Sequence, residues 1–140
     1  MSAVALRVSD EAKAVYEALK EDKKHRYIVY HLKDGQVIDV EATGERSATY
    51  ADFLEKVRQS YADECRWFVV DFPYTIEDGS TKEHPVLIIW CPKQANVRQQ
   101  MVYGSARDTL QTSLAGLSKV LLVSSVEDAN QTTIDALVRE

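Results

Sequence analysis

Three runs of this chain are apolar on both alternating faces: Arg26–Leu32 (RYIVYHL), Arg66–Tyr74 (RWFVVDFPY) and Pro85–Trp90 (PVLIIW). Successive side chains of a strand point to opposite sides of its sheet, so a sheet wetted on one side would show a polar residue at every second position. Here Tyr27 and Val29 fall on one face and Ile28, Tyr30 and Leu32 on the other, which requires a sheet covered twice. The covering layers are legible as amphipathic helices. Ala12, Val15, Tyr16 and Leu19 recur at helical spacing behind Ser9, an N-cap followed by the acidic pair Asp10-Glu11, and this helix ends near Asp22. Thr49 with Asp52 resembles a capping box ahead of Tyr50, Phe53, Leu54 and Val57. A long helix is predicted from Gln94 to about Leu117, and Asn130 caps a last one carrying Ile134, Leu137 and Val138. Asp34-Gly35 predicts a tight two-residue hairpin turn into Gln36–Val40, Glu77-Asp78-Gly79-Ser80 joins the next two strands, and Val120–Val123 makes a short fifth strand. The order α β β α β β α β α predicts an α/β fold of the α+β type: one domain over residues 1–140, a mixed five-stranded sheet between helical layers.

Charge and composition narrow the function. Lys and Arg total 17 against 22 Asp and Glu, a formal net charge of −5, so a general basic footprint for nucleic acid is absent. No segment reaches the roughly 18 to 20 apolar residues that span a bilayer, and no export leader opens the chain, which predicts a protein of the cytosol or nucleus that does not cross a membrane. Cys65 and Cys91 lie far apart in sequence without a CxxC spacing and read as small buried hydrophobes. His25, His31 and His84 lack metal-ligand spacing. With no nucleophile beside a base and no Gly-rich phosphate loop, no enzymatic activity, metal or cofactor is expected.

The long helix carries two stripes. Projected at 100° per residue, Val102, Ala106, Leu110, Leu114 and Leu117 share one sector and are expected to face the sheet. Val97, Met101, Gly104, Ser105 and Asp108 fall roughly opposite, with Arg98 at their margin. A single outward Met is ordinary on a protein surface. The stripe also suits a helix-in-groove contact, in which Met packs adaptably, Gly104 admits a close backbone and Arg98 and Asp108 set polar register.

The stretch Trp90-Cys91-Pro92 followed by Val97-Arg98-Gln99-Gln100-Met101-Val102-Tyr103-Gly104-Ser105-Ala106-Arg107-Asp108-Thr109-Leu110 resembles the long-helix signature of the ADF/cofilin family, close to W-x-P … [RK]-x-K-M-[VIM]-Y-x-S-[SA]-[KR]-D-x-[LI]. Val8-Ser9-Asp10, His25-Arg26-Tyr27, Thr49-Tyr50-x-Asp52-Phe53, Cys65-Arg66-Trp67 and Asp71-Phe72-x-Tyr74 extend the resemblance over nearly the whole chain. It implies a five-stranded mixed sheet with two helices on each face and a non-catalytic protein that binds monomeric actin and filament sides, prefers ADP-actin, and severs or depolymerises filaments.

Carried over by residue, the resemblance implies a monomer-binding surface of Ser2, Val4, Arg98, Gln100, Met101, Ser105 and Asp108, and a filament-binding surface of Lys82, His84 and Arg139. Gln100 and His84 stand where the family commonly has Lys, so two charges that would face acidic actin are missing or titratable, each rim contact being worth about 1 kcal/mol or less. Ser2 is the position where a phosphate, adding about −1.5 to −2 charge, would repel an acidic partner. The run Lys20–Arg26 (KEDKKHR) reads as a solvated helix end, with phosphoinositide binding as the family alternative. The protein is expected to act as a monomer. A second reading keeps the fold but not the severing: an adaptor similar to coactosin or glia maturation factor, which engages filaments or a branching complex.

Overall fold

A computed structural model describes residues 5–140, which form one six-stranded sheet with helices on both faces. In chain order the elements are β1 (Arg7–Val8), α1 (Asp10–Lys20), β2 (His25–Lys33), β3 (Val37–Glu45), α2 (Tyr50–Ser60), β4 (Arg66–Thr75), β5 (Thr81–Trp90), α3 (Val97–Gly104), α4 (Arg107–Ser113), β6 (Lys119–Val123) and α5 (Gln131–Val138). The strand order across the sheet is β1-β3-β2-β4-β5-β6. The four central strands β3, β2, β4 and β5 pair antiparallel with one another, whereas the two outermost strands pair in parallel, β1 with β3 and β6 with β5. The sixth strand, absent from the expected five, is the two-residue β1. It is too short to show periodicity and exists because Ser9 N–H donates to Ile38 O at 3.0 Å and Arg7 N–H to Gln36 O at 3.0 Å.

The expected double covering is present. One layer packs α1, α3 and α4 through Ala12, Tyr16, Leu19, Tyr103, Ala106 and Leu110 onto Ile28, Tyr30, Trp67, Val69, Leu87 and Ile89. The other packs α2 and α5 through Tyr50, Phe53, Val57, Ile134 and Val138 onto Val29, Phe68, Val70, Phe72, Val86, Ile88 and Trp90. Each central strand therefore splits its alternate residues between two cores, which is why neither of its faces could be polar.

The helix starts are closed by the capping side chains that their positions predict. Ser9 and Asn130 side chains accept from Ala12 N–H and Thr133 N–H, and Thr49 and Asp52 form a reciprocal capping box. The Asp34-Gly35 turn is one residue longer than expected. Asp34 and Gly35 both take positive φ, 54° and 73°, but Lys33 pairs with Val37, leaving Gln36 in the turn. β3 also runs on to Glu45, because an irregularity beside Val29 and Tyr30 resets its register. Pro85 fits inside β5 because β6 pairs only from Val86 onward, so its missing N–H costs no ladder bond.

The long helix is not continuous. It divides at Ser105-Ala106 into α3 and α4. Gly104 is a weak helix former, Ser105 Oγ bonds back to Val102 O at 2.8 Å, and Trp67 Nε1 takes Tyr103 O at 2.9 Å, a carbonyl that an unbroken helix would keep for itself. Ala106, Leu110, Leu114 and Leu117 are nonetheless buried, while Val102, expected in the same stripe, is only half-buried.

Candidate functional site

α3 is held against the face of the sheet, across its central strands β2, β4 and β5. Asn96 caps it through a bond from Gln99 N–H, and Tyr103 stacks on Trp67 with ring centroids 4.0 Å apart and accepts Leu32 N–H on its hydroxyl at 2.9 Å. Burial raises the Tyr103 hydroxyl above its ordinary pKa, so it stays protonated at neutral pH. With the inner side of α3 fixed in this way, its outer side is left open: Val97 is 72% exposed and Met101 70%. Together with Leu122 at 63%, these are the large exposed hydrophobic residues among those described.

Along one flank of α3 runs a groove of about 680 Å³ lined by Leu6, Leu32, Gly35, Arg98, Met101, Val102 and Ser105, among others. Its wall thus joins the start of the chain, the β2–β3 turn and the helix. Arg98, Met101 and Ser105, three of the residues singled out from sequence, meet here. Gln100 does not join them. It lies half-buried on the other flank, its Nε2 donating to Ala95 O at 2.8 Å, and lines a second groove with Cys91, Gly104 and Leu122. Asp108 is exposed in the first turn of α4, beyond the break. Ser2 and Val4 lie outside the described residues. Leu6, Leu32 and the Gly35 turn were not anticipated; they reach the groove only because β1 and the β2–β3 hairpin close against α3, and no periodicity marks that.

The basic residues converge elsewhere. Lys82 lies opposite Tyr74 and His84 opposite Phe72 in the β4–β5 ladder, so Lys82 and His84 share one face of that hairpin. Arg139 arrives from the end of α5, with its guanidinium over the Tyr74 ring at 5.4 Å, and pairs with Asp135. His84 Nδ1 sits 2.8 Å from Pro85 O, and Lys82 is exposed. Tyr74 therefore connects Lys82 and Arg139, with His84 one step along the same face.

The root of this hairpin is held by ions. Asp71, fully buried, accepts from Lys23 Nζ at 3.1 Å on Oδ2 and forms an ion pair with Arg46 Nη1 at 2.9 Å, while Glu83 receives Arg26 Nη1 at 3.1 Å and Arg46 Nη2 at 2.5 Å. Asp71 Oδ1 has no hydrogen-bond partner among the described residues. Burial alone would raise the Glu83 pKa, but the hydrogen bond from Arg26 and the charges of Arg46 and Lys23 hold it below its ordinary value. Lys23 and Arg26, expected as part of a solvated helix end, are thus bound into the fold, and Lys23 adopts a positive φ of 54° at the turn that delivers it.

A family model described as cofilin/tropomyosin-type actin-binding protein matches residues 5–139. The chain belongs to the ADF/cofilin family. It is similar to actin-depolymerizing factor 8 of Arabidopsis thaliana, 31% identical with 97% of this chain and 94% of that protein covered. Among solved structures it resembles Streptomyces griseoflavus cofilin at TM-score 0.81 and 28% identity, covering 95% of this chain and 98% of that one. Human coactosin-like protein shares the fold at TM-score 0.73 and 18% identity, covering 97% of this chain and 90% of that one. The protein is an ADF/cofilin-type actin-binding domain, and no helix among its described residues is long and apolar enough to cross a membrane.

Proposed function

We propose that the protein binds monomeric actin through the outer side of α3 and its groove, binds filament sides with the help of the β4–β5 hairpin, and promotes filament severing and depolymerisation with a preference for ADP-actin. The observation that carries this is the pair Val97 and Met101, bulky, apolar and open beside a groove that also holds Arg98. A soluble domain gains nothing from exposing such a ridge, whereas a partner cleft that buries it recovers the transfer energy of two large side chains. Similarity to a protein named as an actin-depolymerizing factor supports the same reading. Disassembly follows if the bound protein fits an altered filament geometry better than the resting one, since a ligand shifts an equilibrium only by its differential affinity. The setting for this activity is the cytoplasmic actin cytoskeleton.

Arg139, already paired with Asp135, favours one second reading. With that cation internally neutralised, Lys82 and His84 carry most of the hairpin's attraction to an acidic filament, and the protein becomes a non-severing adaptor of the coactosin or glia maturation factor kind. Filament pelleting run beside dilution-induced depolymerisation separates the two. Faster disassembly upholds the first reading; pelleting without it upholds the adaptor. Loss of monomer and filament binding in Arg98→Ala/Met101→Ala identifies α3 as the anchor, and unchanged binding removes it. Ser2→Glu is expected to weaken monomer affinity if that serine is a phosphorylation switch.

A further inference from the structure

Cys65 and Cys91 are distant in sequence but opposite each other in space. The antiparallel register of β4 and β5 ends at Arg66↔Trp90, and one step further along it Cys65 faces Cys91. Neither backbone N–H points across that step: Cys91 N–H donates to Val123 O at 2.9 Å and Cys65 N–H to Gln99 Oε1 at 2.9 Å. A non-hydrogen-bonded antiparallel pair typically sets its Cα atoms about 4.5 Å apart with side chains close, inside the roughly 4.4–6.8 Å span that a disulfide bridges. Both thiols belong to the core layer beneath α3, Cys65 fully buried and Cys91 packed against it, with the Cys91 thiol donating to Gln100 O at 3.9 Å. Cys91, the less buried of the two, also lines the second groove with Gln100, Gly104 and Leu122, which makes it the thiol on the solvent side and Cys65 the one behind it.

We infer that Cys65 and Cys91 are a two-electron redox site that closes to an intramolecular disulfide when the protein meets a peroxide, with Cys91 the thiol that attacks the peroxide and Cys65 the resolving one. In the first step the Cys91 sulfur attacks a peroxide oxygen: an S–O bond forms, the O–O bond breaks, and the departing hydroxide takes the thiol proton and leaves as water. In the second, the Cys65 sulfur attacks Cys91 Sγ: the S–S bond forms, the S–O bond breaks, and hydroxide again leaves as water with the Cys65 proton. Two thiols are oxidised and one peroxide is reduced to two waters. The bond forms between the base of β4 and the segment leading into α3, where Cys65 N–H already holds Gln99, so it staples the floor of the helix rather than its outer ridge.

The same surroundings set the rate. Burial pushes the Cys65 thiol up to about 12, with the Cys91 thiol and the Glu64 carboxylate adding to the rise and the Arg66 guanidinium opposing it. Burial raises Cys91 too, with the neighbouring Cys65 thiol opposing the rise. The thiolate is the nucleophile, so closure is slow at neutral pH and speeds up about tenfold per pH unit toward alkaline conditions.

The test treats the full chain with hydrogen peroxide at pH 7, 8 and 9, blocks remaining thiols with iodoacetamide and maps peptides by mass spectrometry, with no actin present. The expected product is a linked Cys65–Cys91 peptide lighter by two hydrogen atoms, formed fastest at pH 9, with a melting temperature raised by about 10 °C and restored by dithiothreitol. Cys91→Ser should give no link and leave Cys65 unoxidised, and Cys65→Ala should leave a Cys91 sulfenic acid that dimedone traps. Both cysteines remaining alkylatable after peroxide at pH 9 overturns the inference. So does Cys91 over-oxidised beside a free Cys65 in the unmutated chain, or disulfides that join two chains in place of one.

Discussion

On α3, Val97 and Met101 stand open and Arg98 makes no ion pair among the described residues; on the β4–β5 hairpin, Arg139 is already paired with Asp135, His84 is bonded to Pro85 O, and the base is clamped by Lys23, Arg26 and Arg46. The first surface keeps its interactions unspent until a partner arrives, and its gain is mostly apolar. The second is pre-satisfied, and what remains for a partner is the charge of Lys82 with a share of two others. Apolar burial is indifferent to moderate salt whereas exposed charge is screened within about 10 Å, so the two surfaces should separate experimentally.

Breaking the clamp should have the largest effect. Asp71→Ala leaves Lys23 and Arg46 without their buried anion and is expected to cost about 3–5 kcal/mol in denaturant unfolding, because removing one member of a buried ion network strands the others. If stability changes by less than a third of that, the hairpin is not held by ions. On the open surface, Arg98→Ala/Met101→Ala should lower monomeric actin affinity by about 2–3 kcal/mol, roughly the same at low and moderate salt, while the melting temperature stays put because neither side chain is buried. A salt-sensitive loss would erase the distinction between the surfaces.

Two smaller effects sharpen it. Lys82→Ala should weaken filament pelleting by about 1 kcal/mol at low salt and by almost nothing at high salt. For Glu83, the folded-state pKa lies below the ordinary value of 4.5, so its contribution to stability is complete above that value and is lost as pH falls through the folded pKa. Unfolding midpoints should therefore be level for this group at neutral pH and drop on acidification below about 4.5, with hydrogen exchange rising first at the hairpin base; Glu83→Gln should flatten part of that slope.

Thr49 and Asp52, Ser9 and Asn130 were readable because each cap closes a hydrogen bond within three residues, and a short-range bond leaves its pattern in the sequence. The doubly apolar strands were readable because burial on two faces removes polar choices at every position. Met101 was readable as outward-facing even though the helix it was projected on proved to be two, since the break falls after it. Gln100 shows the limit: it stands where the family pattern has a cation, but its amide is bonded to Ala95 O, and the half-buried flank it occupies depends on β6 packing nearby.

The sequence by itself determined the layered α/β architecture, the helix starts, and membership of an actin-binding family through the motif from Trp90 to Leu110. Tertiary structure alone decided that Trp67 would claim the Tyr103 carbonyl and split the long helix, that Arg7 and Val8 would add a sixth strand, that Tyr74 would bring Arg139 to Lys82, and that Cys65 would face Cys91. The physical reason is range. Local hydrogen bonds and periodic burial act between near neighbours and constrain residue choice where it can be read, whereas these four contacts join segments whose meeting depends on the register of the whole sheet.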